Sequence, residues 1–225
     1  MYKYELHAHT SECDRAAHLS ARELVHMYKD AGYDGIVITD HYFQLFSQWF
    51  EEELRGLSHT QRMDRWLKGY YTARDEGDKI GFTVLPGAEV RFDHCPNDYL
   101  LYGLDEQFFY SAPQLNELSG IEELVSLLQE DVCLVQAHPF RNGMRVETPK
   151  FLFGIEVFNG GTERFRNDLA RQFAEYYDLA KTSGSDIHDP RRLAKGGILT
   201  EKQIRTPEDL RHVLRNGDFS LIENY

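Results

Sequence analysis

The sequence predicts an α/β fold in which a parallel sheet closes, or nearly closes, into a barrel. Short apolar runs of strand length alternate with amphipathic stretches of helix length, and this alternation is typical of repeated βαβ units. Seven such runs are present, a number that favours a barrel over an open doubly wound sheet. The runs cover residues 2–6, 35–38, 81–85, 99–102, 132–135, 154–157 and 179–181.

Local signals mark the ends of the helices between these runs. Ser20 and Glu23 have the spacing of a capping box, which predicts that a helix begins there. Thr206-Pro207 predicts a second helix start, because proline is favoured at the first helical position. Asn216-Gly217 predicts the end of that helix. The predicted helices cover residues 20–31, 119–129, 162–177 and 207–215.

Residues 42–78 interrupt the alternation, and we interpret them as one or two helices inserted after the second strand. The segment is charged and rich in aromatic residues, which either pack on the barrel or form a cap that contacts substrate. Aromatic residues at helical spacing are usually buried, so the pattern favours packing. The aromatic residues concerned are Trp49, Phe50, Trp66, Tyr70 and Tyr71.

Length and charge limit the classes of protein to consider. The chain has 225 residues, enough for one sizeable core, and we expect a single barrel domain over residues 1–225. The formal net charge is −12, and the densest basic stretch is only Arg191, Arg192 and Lys195. We therefore expect no extended nucleic-acid partner. A small anionic substrate fits this charge, because bound cations reverse the sign of the field inside a pocket.

The remaining composition argues against a membrane or disulfide-linked protein. No apolar run approaches the roughly 20 residues that span a bilayer, and the N-terminal MYKYELHAHT lacks a secretory signal. We expect a cytoplasmic protein, and we make no prediction of its oligomeric state. Cys13, Cys95 and Cys133 are too few and too widely spaced for a disulfide framework or a CxxC zinc site.

Five of the apolar runs lead into a histidine or a carboxylate. The C-terminal ends of barrel strands meet at one face, and that face holds the active site of α/β barrels. We therefore predict that these side chains converge although they are far apart in sequence. The residues that follow the five runs are His7 and His9, Asp40 and His41, Glu89, His138, and Asp186 and His188.

These residue types indicate a divalent metal site. Imidazole nitrogen and carboxylate oxygen together suit Zn²⁺, Fe²⁺ or Mn²⁺. His7 and His9 are two apart at a strand end, so their side chains point to the same side and can reach one ion. Glu89 can bridge two ions through its two oxygens. The helical and loop histidines are interpreted as solvated or hydrogen-bonded, and they are His18, His26, His59 and His212.

The sequence resembles the PHP family (polymerase and histidinol phosphatase domains) over essentially its whole length. The resemblance implies a distorted seven-stranded (β/α) barrel of the TIM type. It also implies two or three divalent ions, which are Zn, Mn or Fe. The matching segments are ELHAHT at 5–10 with Asp14, ITDH at 38–41, LPGAE at 85–89, QAHP at 136–139, IEVFNG at 155–160 and GSDIH at 184–188.

The resemblance also implies an assignment of ligands to ions. The first ion would be held by His7, His9, Glu89 and Asp186, the second by Glu89 and His138, and the third by Asp14, His41 and His188. Family members usually add a histidine near the end of the fourth strand, where this chain reads NDYLLYG. His94 and Asp98 are the nearest alternative ligands there, and two ions rather than three remains open. Glu156 and Asn159 match the family pattern and are interpreted as supporting the ligands.

The function that the resemblance implies is hydrolysis of a small phosphate monoester by metal-activated water. Histidinol phosphate and nucleotide monophosphates are examples of such substrates. The alternatives are amide or lactone hydrolysis on the same scaffold, or a non-catalytic metal-binding module. Arg141 is either a phosphate-binding residue or part of a surface ion pair. Asp40 either orients a ligand or assists as an acid/base, or it is an ordinary turn carboxylate.

Overall fold

The computed structural model describes all 225 residues, Met1–Tyr225. It contains ten strands and nine α-helices, together with three short 3₁₀ turns. The strands are β1 (Tyr2–Ala8), β2 (Gly35–Ile38), β3 (His41–Tyr42), β4 (Thr83–Arg91), β5 (Asp98–Tyr102), β6 (Cys133–Gln136), β7 (Gly154–Asn159), β8 (Ala180–Gly184), β9 (Gly196–Thr200) and β10 (Phe219–Glu223). The helices are α1 (Ala21–Asp30), α2 (Gln44–Trp49), α3 (Glu51–Leu54), α4 (His59–Trp66), α5 (Lys68–Ile80), α6 (Glu106–Ser111), α7 (Ile121–Leu127), α8 (Arg164–Tyr176) and α9 (Pro207–Asn216).

The strands form one sheet that curls into a nearly closed barrel. Their order is β10-β9-β1-β2-β4-β5-β6-β7-β8, and β3 pairs separately with β4. A bridge between Ala8 and Ile187, at the ends of β1 and β8, brings the first and last barrel strands together. The barrel strands β1, β2 and β4–β8 correspond to the seven apolar runs. The predicted α/β barrel is therefore confirmed.

The prediction of a parallel sheet is wrong at β5. This strand is antiparallel to both neighbours, with Arg91 of β4 opposite Asp98 and Tyr102 opposite Cys133 of β6. Residues 92–97 are too few for a crossover, because joining parallel strands takes a dozen or more residues. Because β5 is reversed, Asp98 lies at the rim where the other barrel strands end.

Two further strands lie outside the barrel and were not predicted. β9 pairs antiparallel with β1, and β10 pairs antiparallel with β9. The side chains of β10 are mostly half-exposed, and β9 begins with two glycines. Neither strand therefore has the continuous apolar pattern that identified the others.

The predicted helix ends agree with the structure to within two residues. Ser20 caps α1 in a complete capping box, in which its side chain accepts the Glu23 N–H and Glu23 accepts the Ser20 N–H. Thr206 caps α9 in the same way, and Pro207 is its first residue. Gly217 ends α9 at φ +69°, in the left-handed conformation that favours glycine.

The insertion at 42–78 contains four helices, α2–α5, rather than one or two. Gly56, at φ +77°, lies in the turn between α3 and α4, and Ser58 then starts α4 with a capping box. Most of its aromatic side chains are buried in the main core, as the packing interpretation expects. Trp49 and Tyr71 remain partly exposed. The buried ones are Tyr42, Phe43, Phe46, Phe50, Trp66 and Tyr70.

The hydrophobic core has two parts, one outside and one inside the barrel. The larger part packs the helices against the sheet. The smaller part includes Leu6, Val37 and Leu100, with Leu210 of α9 packed against them. Arg211 of α9 donates to the Gly103 carbonyl just beyond β5, so α9 lies near the end of the barrel opposite Asp98. No helix is both long and apolar enough to span a bilayer.

Candidate metal centre

One rim of the barrel gathers all eight ligands that the sequence predicted. They come from the ends of β1, β4, β6 and β8, from the start of β3 and from the loop after β1. Three overlapping groups form, and within each group the ligand atoms lie within 4.8 Å of one another. We call them group 1 (His7, His9, Glu89, Asp186), group 2 (Glu89, Asp98, His138) and group 3 (His9, Asp14, His41, His188).

The carboxylate of Glu89 connects the groups. Its Oε2 lies 3.3 Å from the Nε2 atoms of both His7 and His9, and 2.9 Å from His41 Nε2. Its Oε1 lies 2.9 Å from His138 Nε2 on the other side. The two oxygens therefore face different sets of imidazoles, which is the geometry of a carboxylate that bridges two ions.

Two more carboxylates complete groups 1 and 3. Asp186 Oδ1 lies 3.3 Å from both His9 Nε2 and His188 Nδ1. Asp14 Oδ2 lies 2.8 Å from His41 Nδ1 and 3.0 Å from His188 Nε2. His9 contributes to both groups, a sharing that the sequence did not predict.

The backbone is strained at two of the ligands. His138 has φ +29° and Asp186 has φ +49°, a region that side chains with a Cβ rarely adopt. Such conformations cost about 1–3 kcal/mol each and persist where the surrounding structure holds them. The tight turns that follow β6 and β8 thereby aim both side chains into the barrel mouth.

Of the two alternative ligands near the fourth strand, Asp98 lies at the centre and His94 does not. Asp98 joins Glu89 and His138, and Arg91 holds it through two hydrogen bonds of 2.6 Å each. His94 does not join any group, because it is exposed in the turn between β4 and β5 and lies beside the ring of Phe92. The reversed direction of β5, which the apolar pattern does not reveal, is what brings Asp98 to this rim.

Several buried polar atoms of the centre make no well-aligned hydrogen bond, although Glu89 Oε2 lies close to three imidazoles. Leaving such an atom unpaired costs about 1–3 kcal/mol, and these atoms all belong to predicted ligands. Nitrogen and carboxylate donors in this number suit Zn²⁺, Mn²⁺ or Fe²⁺, so the residues fit the ions that the sequence predicted. The atoms are His7 Nε2, His9 Nδ1 and Nε2, Glu89 Oε2 and His138 Nδ1.

The electrostatics of the centre favour added positive charge. Burial, together with the neighbouring His188 and His41, lowers the pKa of His9 to about 3, so its ring is neutral. Burial opposes a charge on His41, but Glu89 and Asp14 raise its pKa to about 10. Burial and the charge of Glu89 raise the pKa of Asp98. Divalent cations would displace the protons that this negative cluster attracts.

Glu156 on β7 forms hydrogen bonds with two of the predicted ligands, on their sides that face away from the centre. Its Oε1 lies 2.7 Å from His7 Nδ1, so the opposite ring nitrogen of His7 faces the centre. Its Oε2 accepts the backbone N–H of His138 at 3.0 Å and the side-chain amide of Asn159 at 2.8 Å. These contacts agree with the supporting role that the sequence predicted for Glu156 and Asn159.

Asp40 faces the loop that carries Asp14 and belongs to none of the ligand groups. Its two oxygens accept the Thr10 N–H at 2.6 Å and the Thr10 hydroxyl at 2.8 Å. Burial raises the pKa of Asp40 to about 7. The contacts with Thr10 fit the orienting role, and a pKa near 7 is the value that the acid/base alternative requires.

Two arginines flank Asp186 at the edge of the centre. Arg141 donates to Asp186 Oδ2 at 2.5 Å and to Asn159 Oδ1 at 2.9 Å. Arg192 donates to the Asp186 carbonyl at 3.2 Å. Sequence analysis considered Arg192 only as part of a basic stretch. Its place four residues after His188, the last residue of the GSDIH motif, is the signal that could have identified it.

The fold and the ligand groups define a barrel protein with a candidate metal-binding centre at the strand ends. Residues 164–219 match the family model described as PHP-associated. The solved structures that resemble the chain include a two-domain protein from Bacteroides vulgatus that contains a predicted PHP-like metal-dependent phosphoesterase. It is 16% identical with a TM-score of 0.69, and the match covers 99% of this chain and 65% of that one. No curated protein matches the chain.

Two other solved structures broaden the comparison. An amidohydrolase from Chromobacterium violaceum is 16% identical with a TM-score of 0.56, and the match covers 83% of this chain and 88% of that one. Endonuclease Q, in complex with a DNA duplex containing an abasic lesion, is 14% identical with a TM-score of 0.63. The match covers 96% of this chain and 56% of endonuclease Q.

The chain thus spans less than two thirds of the Bacteroides protein and of endonuclease Q. At these identities the likeness shows the fold, and the fold is a PHP-type barrel. The family match is confined to residues 164–219, and the structural neighbours show the fold of the rest of the chain.

Proposed function

We propose that the protein is a metal-dependent phosphoesterase that hydrolyses a small phosphate monoester. The observation that carries the proposal is the Glu89 carboxylate, whose two oxygens face two different sets of imidazoles. This placement would hold two divalent ions side by side. Such ions activate a water molecule and neutralise charge on the phosphoryl oxygens.

We assign one ion to each of the three ligand groups. Group 1 would hold the first ion, group 2 the second and group 3 the third, with Glu89 shared by groups 1 and 2 and His9 shared by groups 1 and 3. The family resemblance implies a histidine as a further ligand of the second ion. In this chain Asp98 would take the place of that histidine. Zn²⁺, Mn²⁺ and Fe²⁺ all suit this donor set.

Access to the centre favours a small terminal group. The side chains of His7, His9, Asp14, Glu89, Asp98, His138 and Asp186 are at most 2% exposed. His41 and His188 are 14% and 20% exposed, so they mark the entrance. A phosphate at the end of a small molecule can pass this entrance more readily than a phosphate within a duplex. The same geometry supports a monoester over an extended nucleic acid.

Arg141 and Arg192 supply the recognition of the phosphate. Their side chains are 32% and 37% exposed beside Asp186, so part of each guanidinium is available to a ligand. Guanidinium groups bind phosphate oxygens through paired hydrogen bonds. In a chain with net charge −12, these two residues and the bound cations attract an anionic substrate to one place.

A substrate panel tests the proposal. The purified protein should hydrolyse a chromogenic phosphate monoester, lose this activity on chelation and regain it with Mn²⁺, Zn²⁺ or Fe²⁺. Phosphodiester, amide and lactone substrates should turn over at least about tenfold more slowly, because the site is fitted to a terminal phosphate. Faster turnover of an amide, a lactone or a DNA duplex would replace the proposal with that activity.

Substitution of Arg141 or Arg192 by alanine should raise KM for the monoester by about tenfold or more. Each guanidinium is expected to make charge-assisted hydrogen bonds, worth about 1.5–3 kcal/mol each. Initial rates over a range of substrate concentrations give KM and kcat. The matched control is Arg191→Ala, because Arg191 is 88% exposed and pairs with Asp189, which belongs to no ligand group. Unchanged KM in both variants would show that neither arginine binds the phosphate.

A further inference from the structure

The inserted segment contacts both stretches of chain that bring Asp14 and His41 to group 3. Asp14 lies in the loop between β1 and α1, and His41 begins the two-residue strand β3. Neither residue belongs to the seven strands that form the barrel. The ligands of groups 1 and 2 lie on or directly after those strands. Group 3 therefore depends on contacts from outside the barrel to keep its shape.

Trp66, the last residue of α4, joins the two stretches directly. Its indole Nε1 donates to the His41 carbonyl at 2.9 Å, and its own carbonyl accepts the Cys13 thiol at 2.7 Å. The side chain is 2% exposed and packs against Tyr42 and Phe109 at ring distances of 5.0 and 4.9 Å. One buried residue thus fixes the residue before Asp14 and the backbone of His41.

Arg65 adds a second tie to the same loop. Its Nη1 donates to the Glu12 carbonyl at 2.7 Å, and its Nε donates to Glu53 at 2.7 Å. The guanidinium lies 4.0 Å from the ring centre of Phe50, and the side chain is 14% exposed. Because charge, stacking and burial all restrict it, Arg65 holds the carbonyl of Glu12 in one place.

Gly69 of α5 completes the support. A Cβ at this position would collide with Thr10 Oγ1 and with Asp40 Oδ2, so the helix backbone lies directly against that hydrogen-bonded pair. Thr10 follows His9, and Asp40 precedes His41. The insertion therefore contacts the chain next to three of the four group 3 ligands.

We propose that the insertion is a positioning element for group 3 and that Trp66 is its principal positioning residue. The inference rests on the proposed function, which assigns a third ion to this group. It extends that proposal by giving residues 42–78 a task in metal binding. Packing alone does not require the polar contacts from the indole of Trp66 and the guanidinium of Arg65 to these two stretches.

Trp66→Phe tests the inference, since phenylalanine retains an aromatic ring but removes the N–H donor. The affinity for one Mn²⁺ ion should fall about tenfold or more, which is typical when a group that orients a metal ligand is lost. Binding of the other two ions should not change. Equilibrium titration of the metal-free protein with Mn²⁺, combined with elemental analysis, gives the number of ions and the affinity of each step.

The chain offers a matched control, because its second tryptophan lies in the same insertion. Trp49 packs edge-on against the ring of Phe43, and it donates no hydrogen bond to the ligand stretches. The Trp49→Phe variant should therefore bind all three ions as the wild type does. Should Trp66→Phe fail to fold, Arg65→Met decides by the same titration. It removes the donor to Glu12 but keeps an unbranched side chain.

Three results would overturn the inference. These are wild-type affinity for every ion in both test variants, equal weakening of all three steps, and a wild type that binds only two ions. Failure of the proposed function looks different. A wild type with three ions and no phosphatase activity would remove the proposed substrate, and the selective loss of one ion in Trp66→Phe would still hold.

Discussion

Glutamine at position 89 should lower kcat/KM for a phosphate monoester by at least about a thousandfold. Glu89 is the carboxylate that faces both His138 and the pair His7 and His9, and it is 1% exposed. Glutamine offers one neutral oxygen, so it cannot bridge two cations or balance their charge. The loss of a two-ion clamp amounts to several kcal/mol, and each 1.36 kcal/mol is tenfold in rate. Steady-state kinetics and elemental analysis of the same preparation give the result.

The control for this substitution is Glu122→Gln, which changes an exposed glutamate on α7 in the same way. Its side chain is 77% exposed and belongs to none of the ligand groups. Activity and metal content should equal those of the wild type. A Glu89→Gln protein that kept its full metal content and its turnover would refute the bridging role, whatever the fate of the other ligands.

Glu5→Ala should destabilise the fold more than any other single change considered above. Glu5 is fully buried in the seam between β1 and β8. It accepts the His7 and Ser185 N–H groups at 2.9 Å each and the Tyr28 hydroxyl at 2.7 Å. Burial raises its pKa, although these hydrogen bonds oppose the rise. Alanine would leave the donors unpaired in the barrel wall.

The expected cost of Glu5→Ala is about 3–5 kcal/mol, as for other buried polar networks that lose their acceptor. In a chain of this size that corresponds to a fall in Tm of roughly 6–20 °C. Thermal unfolding should be followed with chelator present, because bound metal would stabilise the folded state. Glu51→Ala, at a side chain that is 75% exposed, should change Tm little. Equal Tm values for the two variants would contradict the structural role of Glu5.

The convergence of the ligands was predictable from the sequence, because the C-terminal ends of barrel strands meet at one face. In a barrel, an apolar run followed by a histidine or carboxylate places that side chain at one rim. The structure brings His7, Glu89, His138 and Asp186 to that rim, as expected. Their service as metal ligands stays a prediction until ions are measured.

The direction of β5 was not accessible from its apolar pattern, because parallel and antiparallel buried strands look alike. The informative signal was the short connection after Arg91, which leaves no room for a crossover. The insertion was harder to predict, since its four helices are set by local turns such as the one at Gly56. The Trp66 and Arg65 side chains donate to backbone carbonyls of the ligand loops, and Gly69 packs against Thr10 and Asp40. A pattern of side chains in the sequence does not reveal which carbonyls will accept.

The hairpin between β4 and β5 has a consequence for the choice of metal. By turning Asp98 toward Glu89 and His138, it gives group 2 two oxygen donors and one nitrogen donor. A histidine in that place would reverse the ratio. Oxygen donors are hard ligands that suit manganese, whereas imidazole suits zinc and iron. One reversed strand would thus shift the metal preference of group 2 toward the harder cation, while groups 1 and 3, with two and three imidazoles, would keep the softer one.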